Sequence, residues 1–548
     1  MMIKRIMVIL LLVFLVIPFI QFSNASPSRV KDWTIMIYLD ADNNLDGAGI
    51  DDFNEMAKIG STANVNVVVE MDRAEGEDNS NNGWTDTKLF YVTNGMMPTP
   101  ENALMGLGEK NMGDPDTLID FVLWAVKNYP AKHYLLDLWD HGGGWQGVCW
   151  DDTNDNDSLT MPELKEALKT IRENINKNID IVLFDACTMG CIEVNYQIKD
   201  YADIAIGSEA SVPGDGCPYD TILLSLTSEP SMTPEELAVE VVNDYIYSYS
   251  DGNPDPDDSE SVTMAAFDMK KMDKLAESVD ELCMLLSENA GDYLTNLQVC
   301  RSRDNAQTFT VGFVPSPFPN IASSMIDVYD FAYEVANKNL GIEQTAKDKA
   351  ASVTENIMES RIAEAHGSGY PDAYGLTIYF PNGLTTEYKE SYDKTGFAEG
   401  KYWNEFIHHV NFPPDSADNP PPTCLILTPE PWENINENIY SITGSAFDTD
   451  SVTEVQIKID NNEWIKVDGT NTWSYKWKTS PEKHTIYAKS FDGVSYSTIS
   501  SVNVDVVFTE GGIEGYSWGI ISLPVAAIAV LVIIIAMIKQ RRKHGLEY

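Results

Sequence analysis

Residues 134–147 read YLLDLWDHGGGWQG. A run this apolar reads as a buried β-strand. It ends on Asp140 and His141 and is followed by three glycines. Ending a strand needs no glycine triplet, but a backbone that must turn sharply and pass close to another group does. A second stretch, 179–190 (IDIVLFDACTMG), ends in the same way: an apolar strand, then Asp185, Ala186 and Cys187. His141 and Cys187 lie 46 residues apart, and the amphipathic stretch MPELKEALKTIRENI falls between them. That is the arrangement of a right-handed strand–helix–strand crossover, which makes the two strands parallel neighbours.

Working outward, TIMIYLD, NVNVVVEM, YADIAIGSE and YGLTIYF also read as buried strands. TLIDFVLWAVKNY, like the crossover stretch, carries helical spacing of apolar residues. The expectation for residues 30–412 is an α/β domain whose mainly parallel sheet is flanked by helices. A Pro- and Asp-rich linker follows at 413–422. Short strand-length runs separated by turn residues then occupy 423–508, the pattern of an all-β immunoglobulin-like sandwich. Residues 1–25 have the charged, apolar and small-residue order of a signal peptide, the alternative being an uncleaved anchor. Residues 519–538 are 20 residues without a charge, followed by the basic KQRRK. This reads as one transmembrane helix with a cytoplasmic tail at 539–548. The chain is thus expected in the cell membrane as a single-pass protein, its folded domains extracytoplasmic.

With 84 acidic against 37 basic residues the formal net charge is −47, which excludes nucleic acid as a partner. Seven cysteines, an odd number, leave at least one unpaired. This is no disulfide scaffold, and a reactive thiol becomes worth seeking.

In open α/β sheets, ligands bind beyond the carboxyl ends of the strands, where His141 and Cys187 fall. A thiolate is the nucleophile, and a nearby imidazole or helix N-terminus lowers a thiol pKa from about 8.5 into the range ~3.5–7.5. Because CTMGCIEVNYQIKDY reads as helical, Cys187 is expected to open a helix. The N–H groups of Gly142 and Cys187 would then form an oxyanion hole. Cys191 would share a helical face with Cys187 and serve packing. A zinc site of His141, Cys187, Cys191 and Cys217 is the competing reading, but it lacks the close cysteine pairs of structural zinc. Asp185 either faces a ligand or caps the following helix.

These blocks resemble the clostripain family of caspase-like cysteine peptidases, as do YLDADNNLD at 38–46, PGDGCPY at 213–219 and YGLTIYFP at 374–381. The resemblance spans about Trp33 to Phe412. It implies that His141 is the catalytic histidine and Cys187 the nucleophile of a dyad acting on protein or peptide substrates. It further implies a preference for Arg or Lys before the scissile bond, with Asp185 in the specificity pocket and Asp215 as a second acid. Cys217 departs from the aromatic residue expected at that place. No organic cofactor is implied, and calcium is left open. DDTNDNDSLTMPE puts Asp152, Asn154, Asn156, Ser158 and Glu163 at the ligand positions of a calcium loop, but Asp157 stands where Gly is required, and Thr160 to Glu163 equally forms a capping box. The rival reading of the whole chain is a non-catalytic surface protein in which a peptidase-like domain and a sandwich serve adhesion.

Overall fold

The computed structural model describes residues 30–250, 260–288, 293–309, 324–337, 342–381, 391–411, 422–429, 434–447, 452–460, 462–491, 496–497 and 499–507. The signal segment, most of the linker, the 519–538 span and the tail lie outside these residues. Among the described residues no helix is long and apolar enough to cross a membrane.

Among the described residues the first domain contains thirteen strands: β1 (Lys31–Ala41), β2 (Val65–Arg73), β3 (Thr87–Tyr91), β4 (Met105–Gly108), β5 (Ala131–Trp139), β6 (Val148–Asp151), β7 (Asp157–Leu159), β8 (Ile179–Asp185), β9 (Ala202–Gly207), β10 (Thr263–Asp268), β11 (Met325–Asp327), β12 (Arg361–His366) and β13 (Thr377–Tyr379). Nine of them form one sheet in the order β12-β10-β9-β8-β5-β1-β2-β3-β4. The central run from β9 to β2 is parallel. The outer pairings, β2 with β3, β3 with β4, β9 with β10 and β10 with β12, are antiparallel. The α/β reading therefore holds at the centre of the sheet, while its antiparallel margins were not foreseen.

Side chains alternate across the sheet as the twofold strand period requires. Ile35, Ile37, Leu39, Leu135, Trp139, Ile181 and Leu183 enter one core. Met36, Tyr38, Leu136, Leu138, Val182 and Phe184 enter the core on the other face. Helices Asp46–Ile59, Tyr219–Ser228 and Pro234–Ser248 supply buried residues to the first core, and Pro115–Asn128 and Met161–Ile175 to the second.

One predicted strand is misplaced in the sequence reading. Of YGLTIYF only Thr377–Tyr379 is extended, and it pairs with β11 outside the main sheet. It also bridges Cys191, and the Thr377 N–H donates to the Gly190 carbonyl at 2.9 Å. The described residues between 422 and 507 form the expected sandwich, with one four-stranded and one five-stranded sheet around Ile442, Val455, Ile457, Trp473, Ile486 and Val504.

Candidate active site

β5 and β8 are hydrogen-bonded parallel neighbours, and Trp139 pairs with Asp185. His141 and Cys187 each lie two residues beyond that pair, at the same level of the sheet edge. Both line one open cleft of about 190 Å³, together with Asn44, Trp139, Asp185 and Val212. The glycines now have their reason. A Cβ on Gly142 would sit 2.2 Å from the Cys187 carbonyl oxygen and 2.8 Å from the Cys187 nitrogen, so only glycine lets the two strand-end loops touch. Gly144 has φ +59°, a left-handed turn that glycine adopts without cost.

The Oδ1 atom of Asn44 lies 2.9 Å from His141 Nε2. The Val212 N–H donates to Cys187 Sγ at 3.3 Å. Burial pushes the Cys187 thiol above its ordinary pKa, and burial lowers His141 to about 4. Burial disfavours both charged forms. The expectation that Cys187 opens a helix is overturned. The next helix is Ile192–Ile198, with Cys191 as its N-cap. Between them Thr188 takes φ +61°, and residues 190–191 are held extended by β13. Cys191 and Cys217 are fully buried in the cores on opposite faces of the sheet, so the zinc alternative does not assemble.

Asp185 does not cap a helix. Its Oδ2 accepts the Cys217 N–H at 2.8 Å and the Tyr219 hydroxyl at 2.9 Å, while its Oδ1 is buried without a hydrogen bond. Two further buried carboxyls, missed in the sequence, stand beside it. Asp137 Oδ2 lies 2.6 Å from the same Tyr219 hydroxyl, whose one hydrogen the two carboxyls share, and Asp52 Oδ2 accepts Trp139 Nε1–H at 2.7 Å. Desolvation raises the pKa of all three, and proximity to Asp185 raises Asp52 and Asp137 further. The signals were there in part. An acid inside YLLDLW shares a face with Trp139, and an acid on the apolar face of a helix, beside Phe53 and Met56, is unusual. Asp215 is exposed, and unlike Gly214 and Gly216 on either side it does not line the cleft.

The acidic loops resolve differently from the calcium-loop pattern. Glu163 is taken by the capping box with Thr160, and Ser158 belongs to β7. Instead Asp42, Glu109 and Asp151 converge, with one oxygen from each within 4.8 Å of the others. The Thr153 hydroxyl reaches all three. Asp42 Oδ1 is buried without a partner, and burial, opposed by Thr153 and reinforced by Asp151 and Glu109, raises Asp42 to about 7. Hard oxygen donors of this kind fit calcium.

Residues 37–410 match the Clostripain family, and 422–488 match the Bacterial Ig domain. The chain belongs to the clostripain family. Clostripain of Hathewaya histolytica is 25% identical over 417 residues, covering 66% of this chain and 77% of that protein. A secreted C11 cysteine protease from Bacteroides thetaiotaomicron, solved with an irreversible peptide inhibitor, is 19% identical with a TM-score of 0.49; the match covers 70% of this chain and all of that one. An inactive zymogen C11 protease from Parabacteroides distasonis is 20% identical with a TM-score of 0.49, covering 68% and 98% of the two chains. As a clostripain-family protein the chain is a cysteine-type endopeptidase, and its substrates are proteins or peptides.

Proposed function

We propose that this chain is an extracytoplasmic endopeptidase, tethered to the membrane by residues 519–538, that cleaves after Arg or Lys with a His141–Cys187 dyad. The observation that carries the reading is one register. With Trp139 paired to Asp185, His141 and Cys187 both line a cleft that a buried, half-unpaired carboxylate also lines. A cationic side chain entering there gains a charge-assisted hydrogen bond and offsets the repulsion among Asp185, Asp52 and Asp137.

Burial disfavours the charged form of the thiol and of the imidazole before substrate arrives, so in this reading proton transfer accompanies attack. Cys187 Sγ forms the bond to the carbonyl carbon, and its proton passes to His141. His141 then delivers that proton to the leaving amine as the C–N bond breaks. Water hydrolyses the acyl-enzyme. The Gly142 and Cys187 N–H groups are the proposed oxyanion donors. A calcium ion held by Asp42, Glu109 and Asp151 would brace the loop from Asp42 to Asn44 beside the cleft, with no part in bond making.

The test is digestion of a peptide library by the protein, with Cys187→Ala as control. Cleavage after basic residues that vanishes in the variant is expected. Cleavage that persists in the variant would refute the dyad, and wild-type cleavage without a basic preference would refute the pocket.

A further inference from the structure

We propose that Asn44 is a positioning residue for His141, fixing the tautomer and direction of the imidazole by accepting a hydrogen bond at Nε2; this rests on the dyad reading above. The turn after β1 carries Asn43 and Asn44, and the end of β5 carries Asp140 and His141. The parallel pairing of these two strands brings the segments together. The two asparagines divide the work. Asn43 is 2% exposed; its Nδ2 donates to Asp140 Oδ1 at 2.7 Å and to the Trp150 carbonyl at 3.1 Å, and its Oδ1 accepts the Leu45 N–H at 2.8 Å. That residue ties the turn to the strand end. Asn44 is exposed at the cleft and has no burial to satisfy, yet its Oδ1 lies 2.9 Å from His141 Nε2.

A carboxamide oxygen can only accept, so Nε2 carries the ring hydrogen. The basic nitrogen is then Nδ1, which must take the thiol proton and return it to the leaving amine. As the ring becomes imidazolium, the bond to Asn44 becomes charge-assisted and strengthens. The residue therefore assists most at the point where His141 is charged. Burial works against that charge, which gives an added acceptor more leverage than it would have in water. A peptide lying in the cleft would also shield the exposed amide from competing water.

The experiment compares full-length wild type with Asn44→Ala, Asn44→Asp, His141→Ala and Cys187→Ala on a fluorogenic peptide with a basic residue before the scissile bond. Asn44→Ala is expected to lower kcat by ~10- to 100-fold, the scale of a misplaced catalytic group, with KM and melting temperature nearly unchanged. Asn44→Asp is expected to recover much of kcat and to move the acid limb of the kcat–pH profile to higher pH, because a carboxylate favours imidazolium. Iodoacetamide alkylation of Cys187 against pH reads the same pair without substrate, and its profile should shift with Asn44→Asp. Wild-type kcat and an unshifted profile in the Asn44 variants, with His141→Ala and Cys187→Ala inactive, would overturn the role of Asn44 and leave the dyad standing. Loss of kcat only in step with a lower melting temperature, with no profile shift in Asn44→Asp, would also overturn it. Activity retained in His141→Ala or Cys187→Ala would instead overturn the dyad.

Discussion

Gly142→Ala places a methyl group where two strand-end loops meet. On the present backbone its Cβ lies 2.2 Å from the Cys187 carbonyl oxygen, 2.8 Å from the Cys187 nitrogen and 3.0 Å from the carbonyl carbon. The loops must part by about 0.8 Å merely to restore a 3.0 Å approach. What blocks the methyl is backbone, and that backbone is tied down. The Thr188 N–H donates to the Ala210 carbonyl at 2.9 Å, and the Gly190 N–H to the Ser208 carbonyl at 2.7 Å. No side chain can swing aside to make room, so the shift falls on the spacing of His141 from Cys187. A misplacement of ~1 Å costs about a hundredfold in rate, whereas overpacking by one methyl costs about 1–3 kcal/mol. A domain stable by ~5–15 kcal/mol survives the second. Steady-state kinetics should therefore show kcat/KM down about a hundredfold in a protein that still melts cooperatively. Gly47→Ala is the control: nothing lies within 4 Å of the added carbon, and the site is in a helix. It should keep wild-type activity and gain slightly in stability. Wild-type kcat/KM in Gly142→Ala would refute the argument that these loops are in forced contact.

Asp185→Asn should cut kcat/KM for Arg and Lys substrates by about a hundredfold or more, with little change for substrates lacking the charge; an unchanged preference in the same library digest would remove Asp185 from the pocket. With the Cys187 thiol raised and His141 held near 4, alkylation of Cys187 in the free enzyme should climb with pH beyond the ~8.5 of free cysteine. A rate that is already flat from neutral pH upward would mean a preformed thiolate–imidazolium pair. Calcium added to chelator-treated protein should raise the melting temperature, by the equivalent of about 2.7 kcal/mol at a hundred times Kd, and should fail to do so in Asp151→Asn; equal response of the two proteins would dismiss the Asp42–Glu109–Asp151 site. The active enzyme should remain one chain between His141 and Cys187. Lys165, Lys169 and Arg172 lie inside helix Met161–Ile175, where local unfolding would have to precede a cut, and Lys177, in the turn after it, is engaged by Asp180 at 2.7 Å. Two catalytic-domain bands that meet in this segment, absent in Cys187→Ala, would refute this.

The two strand ends were legible because their information is local. An apolar run fixes a strand, and a glycine triplet after His141 marks backbone that must pass close to something. Spacing around one helix then makes β5 and β8 neighbours, which brings His141 and Cys187 to one sheet edge. The same local logic gave the sandwich. It failed where distant segments decide. Residues 187–191 have helical composition, yet β13, nearly 190 residues later, holds Cys191 and Gly190 extended and delays the helix to Ile192. Asn44 reaches His141 across 97 residues, Asp52 reaches Trp139 across 87, and Thr153 reaches Asp42 across 111. No periodicity in any one segment encodes such meetings. The charge states belong with them: burial sets the direction of the Cys187 and His141 shifts, and burial exists only once both faces of the sheet are covered. The sequence by itself determined which candidate groups stand together at the sheet edge; packing decided what surrounds them and that burial disfavours their charged forms.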